Sequence, residues 1–296
     1  MQTLRLLIAI LAVALTTPAL ATERFIIFGD LQDSSAEGRA RDAVLIARIN
    51  DIAPAFSVYI GDIKGGSSPC TDALNQTMRA LFDKHERPLI FTPGDNEWTD
   101  CWRGPAGGHD PVERKSAVVS LFTAPGESIG QNTIPLVQQD CQRENARWRW
   151  NDVVFATIHL TGSNNNLQHQ GNAIAEFLAR DALNATWLDE TVAEAKDAAA
   201  LFLFVHANPQ WTARWWEPTG FDRFRTQLAE IAETFPGPIV VAHGDTHTFR
   251  VDKPFRAAPR LTRVEVFGPP QRGAVIVEVD RASPEIFTFS PLLLDP

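Results

Sequence analysis

Four short apolar runs in this chain each lead to an aspartate that directly follows a glycine, with Pro93 intervening in the third and Ala242 and His243 in the fourth. They cover residues 25–30, 58–62, 89–95 and 239–245, and they deliver Asp30, Asp62, Asp95 and Asp245. A β-prone run that meets Gly-Asp stops there and presents the carboxylate at its C-terminal edge, where open α/β sheets place their chemistry. One such motif means little, but four of them at one rim would crowd like charges together. That crowding is tolerable if the acids are protonated or if a cation sits among them. Three histidines stand in equivalent places: His206 after the apolar run 201–205, and His243 and His247 around Asp245. Carboxylates mixed with imidazoles suit Mn, Fe or Zn better than calcium, which prefers oxygen alone. These seven groups exceed what one four-coordinate ion needs, so the economical reading is two divalent ions sharing one carboxylate, with Asp62 as the shared ligand.

The elements that must position these residues can be read from periodicity. Residues 25–28, 56–60 and 88–91 have strand character. Leu45, Ile49 and Ile52 recur at helical spacing before Pro54, and 71–84 forms a second helix. Strand, helix, strand, helix, strand predicts a parallel sheet with right-handed crossovers. Residues 97–110 read as loop and 111–122 as a short helix, and little periodicity follows as far as Asn145. A second wave begins at Arg147: strand 153–160, polar turn 161–166, a long helix 173–196 broken near Asn184, strand 201–205, helix 221–234 and strand 238–241. Strands near 263–267, 274–279 and 286–289 form a meander expected to extend the second sheet. The whole suits one domain over residues 22–296 with two facing sheets.

Residues 1–21 stand apart. Arg5, the apolar stretch 6–15 and the small residues Ala19 and Ala21 form a secretory signal pattern, too short to span a bilayer. An exported, periplasmic or extracellular protein with no membrane contact after cleavage is the expectation. The formal net charge is −9 before cleavage and one unit more negative without Arg5, which argues against a basic nucleic-acid surface. An anionic substrate would need metal ions to reverse the local field. Three cysteines in an exported chain suggest one disulfide and one leftover. Cys70 follows Asp62 and Cys101 follows Asp95 at short range. If both aspartates share a site, Cys70 pairs with Cys101 and Cys141 is free; Cys101 with Cys141 is the alternative.

The order of blocks resembles the calcineurin-like metallophosphoesterase superfamily, whose pattern runs Asp-x-His, Gly-Asp, Gly-Asn-His-Asp/Glu, a lone His, then Gly-His-x-His. Here the stretches read Asp30-Leu31-Gln32, Gly61-Asp62, Gly94-Asp95-Asn96-Glu97, His206 and Gly244-Asp245-Thr246-His247. The resemblance implies a four-layer α/β/β/α sandwich of two mixed sheets flanked by helices. It also implies two divalent ions (Mn, Fe, Zn or Mg), one held by Asp30, Gln32, Asp62 and His247 and the other by Asp62, Asp95, His206 and Asp245. The implied activity is hydrolysis of a phosphoester or phosphoanhydride in a small phosphorylated substrate by a bridging hydroxide. Departures accompany the match. Gln32 and Asp245 replace histidine ligands, Asp95 replaces Asn, and Asn96 stands where the family has the His credited with protonating the leaving group. His243 is the candidate substitute, as donor or as ligand. The swaps make the site richer in oxygen and favour harder ions such as Mn or Mg. The rival reading is a catalytically weakened metal-binding protein on the same scaffold that binds a phosphorylated ligand or partner; a metal-free structural protein is a third.

The remaining features read as structural or as ambiguous. His85, His109, His159 and His169 fit surface or packing roles. Ser163 to Asn166 reads as a polar turn or a substrate-facing loop, and Trp98, Trp102, Trp211, Trp215 and Trp216 as core cover or an aromatic rim. Asn75 and Asn184 lie in Asn-x-Thr sequons. Neither a Gly-Lys-Ser/Thr phosphate loop nor a Gly-x-Ser-x-Gly elbow occurs.

Overall fold

A computed structural model describes residues 23–168, 171–211 and 218–294. The signal-like segment 1–21, His169, Trp215 and Trp216 fall outside the described residues. Strands β1 (Glu23–Phe28), β2 (Ser57–Ile60) and β3 (Leu89–Thr92) run parallel, joined by helices α1 (Ala36–Ile52) and α2 (Asp72–Phe82). Each helix begins where its sequence supplies a cap: Ser35 Oγ accepts from Gly38 N–H, and Thr71 Oγ1 from Leu74 N–H. Helix α3 (Pro111–Phe122) starts on Asp110 as cap with Pro111 in its first turn. The loop 97–110 carries two short 3₁₀ turns, Thr99–Trp102 and Gly104–Ala106.

The second wave builds β4 (Val137–Gln139), β5 (Gln142–Trp150), β6 (Val153–Thr157), the one-turn segment α4 (Gly162–Asn165), α5 (Ala173–Glu194), β7 (Ala200–Phe204), α6 (Asp222–Thr234) and β8 (Ile239–His243). Strands β9 (Arg250–Asp252), β10 (Leu261–Glu265), β11 (Gly273–Val279) and β12 (Phe287–Leu293) close the chain. Two mixed sheets result, in the orders β12-β11-β1-β2-β3 and β4-β5-β6-β7-β8-β10-β9. The C-terminal strands correct one expectation. β10 joins the second sheet parallel to β8, but β11 and β12 cross back to the first, where β11 runs antiparallel to β1. The crossing buries Val275 and Val277 against the inner faces of both sheets. Helix α5 is also unbroken, because Asn184 turns inward and bonds Gln142, Asn145 and the His159 carbonyl. Both sequon asparagines are buried, Asn75 at 2% and Asn184 at 4% exposure, which leaves no room for a glycan on either.

Three apolar clusters set the layers. Between the sheets lie Phe25, Phe56, Trp148, Phe155, Phe202 and Phe204. Leu45, Ile49, Met78 and Phe82 pack α1 and α2 on the outer face of the first sheet, and Trp187, Leu188, Leu228 and Ile231 pack α5 and α6 on that of the second. Each large apolar side chain so buried contributes about 1.5–3 kcal/mol relative to exposure. The architecture is a four-layer α/β/β/α sandwich, and it brings the C-terminal ends of β1, β2, β3, β7 and β8 to one rim. Among the described residues no helix is long and apolar enough to cross a membrane.

Burial also fixes a pH dependence remote from that rim. His85 is fully buried beside Phe28 and Phe82, neither ring nitrogen has a hydrogen-bond partner, and burial pushes its pKa down to about 4. The unfolded chain takes up a proton near pH 6.5 that the folded chain refuses until about 4. Stability contributed by neutral His85 is therefore whole above pH 6.5 and lost as pH falls through about 4, on the order of 3 kcal/mol over the window. Replacing His85 by Leu should flatten denaturant midpoints between pH 7 and 4 and raise the value at pH 7. An unchanged slope in His85→Leu would show that other groups carry the dependence.

Candidate metal centre

Asp30, Asp62, Asp245 and His247 share an uncommon backbone state, with φ of 54°, 64°, 73° and 57°. Left-handed φ on residues other than glycine costs on the order of 1–3 kcal/mol and clusters where a side chain must be aimed. Here the turn out of each strand rotates the carboxylate back over the strand end. The neighbouring glycines make room for this. A Cβ on Gly94 would lie 2.2 Å from Asp62 Oδ1, and one on Gly61, itself at φ 90°, would lie 2.4 Å from His206 Nδ1.

The result is a buried cluster. Asp30 and Asp62 are each 2% exposed, Asp95 is 7% and His206 is 0%. One ligand atom each from Asp30, Asp62 and His206 lies within 4.8 Å of the others, and the same holds for Asp95, His206 and Asp245. His206 Nε2 is 3.1 Å from Asp95 Oδ1 and 3.4 Å from Asp62 Oδ1, while Nδ1 donates to the Ile60 carbonyl at 2.8 Å. That bond joins the two sheets and fixes Nε2 as the nitrogen aimed at the acids. Gln32 Nε2 donates to Asp62 Oδ2 at 2.7 Å and lies 3.0 Å from His247 Nε2, which in turn is 3.5 Å from Asp30 Oδ1. Asn96 donates to Asp62 twice, from its backbone N–H at 3.1 Å and from Nδ2 at 2.5 Å.

His243 lies elsewhere. It is fully buried, with Nδ1 donating to the Gly244 carbonyl at 2.9 Å and Nε2 accepting from Trp211 Nε1 at 3.4 Å. Burial pushes its pKa down to about 3, so it is neutral, with its proton committed to a carbonyl. Both its ring nitrogens are thus engaged, and neither candidate metal group found among the described residues includes His243.

The electrostatics ask for positive charge. Burial raises the Asp62 carboxyl well above its usual range against the pull of His206, and burial likewise raises Asp245. Burial opposes ionisation of Asp95, but its hydrogen bond to His206 and that imidazole's charge hold the carboxyl low. Burial also opposes a charge on His206; Asp62 and Asp95 outweigh it and raise the imidazole well above its usual range. Asp30 Oδ1 is buried and has no hydrogen-bond partner. A buried carboxylate oxygen without a hydrogen bond, close to Asp62 and His206, is a candidate position for a divalent cation.

Residues that the sequence placed in a motif or a polar turn, without a role of their own, support the site. Glu97 Oε1 accepts from Gly94 N–H at 2.6 Å and Asp62 N–H at 3.3 Å, tying two of the ligand loops from below. Ser163 Oγ lies 3.1 Å from Asp95 Oδ2 and 3.0 Å from Asp100 Oδ1, and burial together with the charge of Asp95 pushes Asp100 up to about 7. Ser163, Asn164, Asn165 and Asn166 are all left-handed, with φ from 52° to 61°. Arg180 holds that turn through Asn165 Oδ1 at 2.6 Å and the Asn165 carbonyl at 2.9 Å. The turn is thus a built part of the site. Trp98 and Trp211 are buried, and Trp102 is exposed.

Cys70 and Cys101 form a disulfide, with Cα atoms 5.7 Å apart, that clamps the loop after Asp62 to the loop after Asp95; Cys141 is free and exposed.

No family model and no curated protein matches the sequence. Solved structures do. The chain is similar to a candidate 5'-nucleotidase from Staphylococcus aureus, with TM-score 0.55 and 13% identity over 93% of this chain and 55% of that one. A dimetal phosphatase from Danio rerio gives TM-score 0.52 and 10% identity over 88% and 93%. A purple acid phosphatase from yellow lupin gives 0.53 and 13% over 92% and 54%. The chain spans about half the length of the nucleotidase and of the lupin enzyme. At 10–13% identity the likeness is one of fold, the layered arrangement of two mixed sheets flanked by helices.

The disulfide closes a sequence separation of 31, for which loop entropy gives about 2–4 kcal/mol. Replacing Cys70 and Cys101 together by Ala should lower unfolding free energy by that amount and weaken retention of metal, measured by denaturant titration and elemental analysis. Unchanged metal retention in a folded double variant would show that the clamp does not hold the site.

Proposed function

We propose that this protein is a metal-dependent hydrolase of small phosphoesters or phosphoanhydrides, working in an oxidising compartment outside the cytoplasm. What supports the reading most is the convergence of buried Asp30, Asp62, Asp95 and His206 with part-buried Asp245 on one rim of a fold shared with a dimetal phosphatase. The exported location rests on the disulfide and the signal-like segment.

Asp30, Gln32, Asp62 and His247 would hold one divalent ion, and Asp62, Asp95, His206 and Asp245 the other. Bound there, such ions lower the pKa of water and neutralise phosphoryl oxygens. The chain's own residues do the rest. His206, locked by the Ile60 carbonyl, aligns the second group of ligands. Asn96, braced on Asp62 and 8% exposed, can hold a phosphoryl or leaving oxygen through its amide but cannot protonate it. With the proton of His243 committed to a carbonyl and His206 and His247 assigned to the ions, no imidazole among the described residues of the cluster is left as an acid, and a donor of that kind is worth about 10²–10⁴-fold. Good leaving groups, such as aryl oxides or the phosphate of an anhydride, are therefore the preferred chemistry.

With Mn supplied, the protein should hydrolyse aryl phosphates faster than alkyl phosphates by at least ~10²-fold. Asp62→Asn should abolish turnover, and Asn96→His should raise the alkyl rate more than the aryl rate. Equal aryl and alkyl rates in the parent would refute the missing-acid argument. No turnover on any phosphoester or anhydride, with metal bound, would favour a binding protein that uses the same cluster to hold a phosphorylated ligand.

A further inference from the structure

The rim continues past the acidic cluster to the edge of the second sheet, and the charge changes sign there. Strand β10 runs parallel to β8 with Glu265 opposite His243, and β9 runs antiparallel to β10 with Arg250, its first residue, opposite Glu265. The start of β9 therefore stands at the same rim as the end of β8, two strand spacings or about 10 Å along the sheet. A cavity of about 630 Å³ spans the interval, bordered by Ser163 and Asp245 on the side of the cluster and by Arg250 and Arg263 on the other. Resting on the metal reading above, we propose that the phosphorylated ligand of this site carries a second phosphate, joined to the first as an anhydride, and that Arg250 binds it.

The two arginines are held differently. Arg263 faces Asp252 across the strands and is engaged by it twice, through Nε at 2.8 Å and through Nη2, and its side chain is 11% exposed. Arg250 is ion-paired through Nε alone, with Glu265 Oε2 at 2.9 Å, and its side chain is 39% exposed. Glu265 is itself fixed: it is fully buried, and its Oε1 accepts from Thr246 Oγ1 at 2.6 Å and from the Thr248 N–H at 2.8 Å. The pair sets the direction of the Arg250 guanidinium and leaves its terminal nitrogens to the cavity, as a planar fork that matches a phosphate. Asn164, Asn208 and Gln210 complete a polar wall over the buried rings of Trp211 and Phe221. An oxyanion entering from the cluster meets a fixed cation flanked by amides.

This arrangement agrees with the amide at Asn96. An anhydride is hydrolysed when the oxygen of water bonds to the first phosphorus and the bond from that phosphorus to the bridging oxygen breaks. The bridging oxygen leaves with the electron pair on the second phosphate; the attacking oxygen keeps one hydrogen, and the other proton goes to solvent. Such a leaving group needs positive charge rather than a proton. A guanidinium supplies charge and directed donors and gives up no proton. Glu265 offsets part of that charge, so the contribution expected of Arg250 is about tenfold, the low end for hydrogen bonds to a charged group.

The test is calorimetric titration of Mn-loaded protein with methylenebisphosphonate, whose P–C–P link resists hydrolysis, and with methylphosphonate, which has one phosphorus. Arg250→Gln should weaken the bisphosphonate about tenfold and methylphosphonate less than about twofold, with bound Mn unchanged by elemental analysis. Arg250→Lys should recover part of the loss. Because Arg250→Gln leaves buried Glu265 without its partner, Gln210→Glu is the second variant; it puts a negative charge on an exposed part of the same wall and should also weaken the bisphosphonate more than methylphosphonate. Where Arg250→Gln loses Mn, Gln210→Glu decides alone. Unchanged bisphosphonate affinity in either variant that retains Mn, or both ligands weakened alike, would overturn the inference and leave the hydrolase reading standing. Binding of neither phosphonate by the Mn-loaded parent would sink both. The expected differences without turnover of any anhydride or ester would uphold the second-phosphate site and refute hydrolysis. With turnover, Arg250→Gln should lower kcat/KM for pyrophosphate about tenfold more than for an aryl phosphate.

Discussion

Like charges held in a place with little water to screen them constrain everything else at the rim. Asp30, Asp62, Asp95 and Asp245 approach one another where the effective dielectric is far below that of water, so each raises the cost of ionising the next. His206 is the one fully buried imidazole among them, and its two ring nitrogens divide the work. Nδ1 anchors the end of β7 to the end of β2 through the Ile60 carbonyl, and Nε2 faces Asp95 and Asp62. In the absence of an ion, a proton on that imidazole is the local countercharge. A divalent ion would displace that proton and answer more of the negative charge at once.

The scaffold accommodates this cluster at a conformational cost. Strained turns after β1, β2 and β8 rotate Asp30, Asp62 and Asp245 inward, and Gly61 and Gly94 are required because a Cβ there would collide with His206 or Asp62. Rigidity around the turns keeps the strain from relaxing. Glu97 joins two ligand loops through backbone N–H groups, and the Cys70–Cys101 bridge joins them again further out. On the opposite side, Arg180 holds the left-handed turn that places Ser163 against Asp95. The aromatic core between the sheets fixes the distance across which these loops meet.

Much of this was legible in the sequence, and the residues that were not share a physical reason. The Gly-Asp endings and His206 announced themselves because a strand that stops on a carboxylate or imidazole is a local pattern. β5 did not, because its sequence, Gln142 to Trp150, is polar and alternates only partly, and it becomes a strand through pairing with β6. The return of β11 to the first sheet is equally a tertiary outcome: its apolar residues would have suited either sheet. Helix α5 was expected to break at Asn184, since an isolated Asn is a weak helix former, and the bonds from its amide to Gln142, Asn145 and His159 override that preference. His243 depends on tertiary detail of the same kind: it follows Ile239 and Val241 on the outer face of β8 and meets Trp211, and the left-handed turn at Asp245 redirects the chain two residues later.

The amides are where the chain departs furthest from a plain acidic metal site. Gln32 and Asn96 both donate to Asp62 Oδ2, at 2.7 and 2.5 Å, so the carboxylate expected to be shared between two ions already has both its neighbours supplying hydrogen. An amide does not change its charge with pH, whereas imidazoles in those places would titrate near neutrality. Amides in these places therefore stabilise the buried Asp62 carboxylate through hydrogen bonds that depend neither on pH nor on an ion.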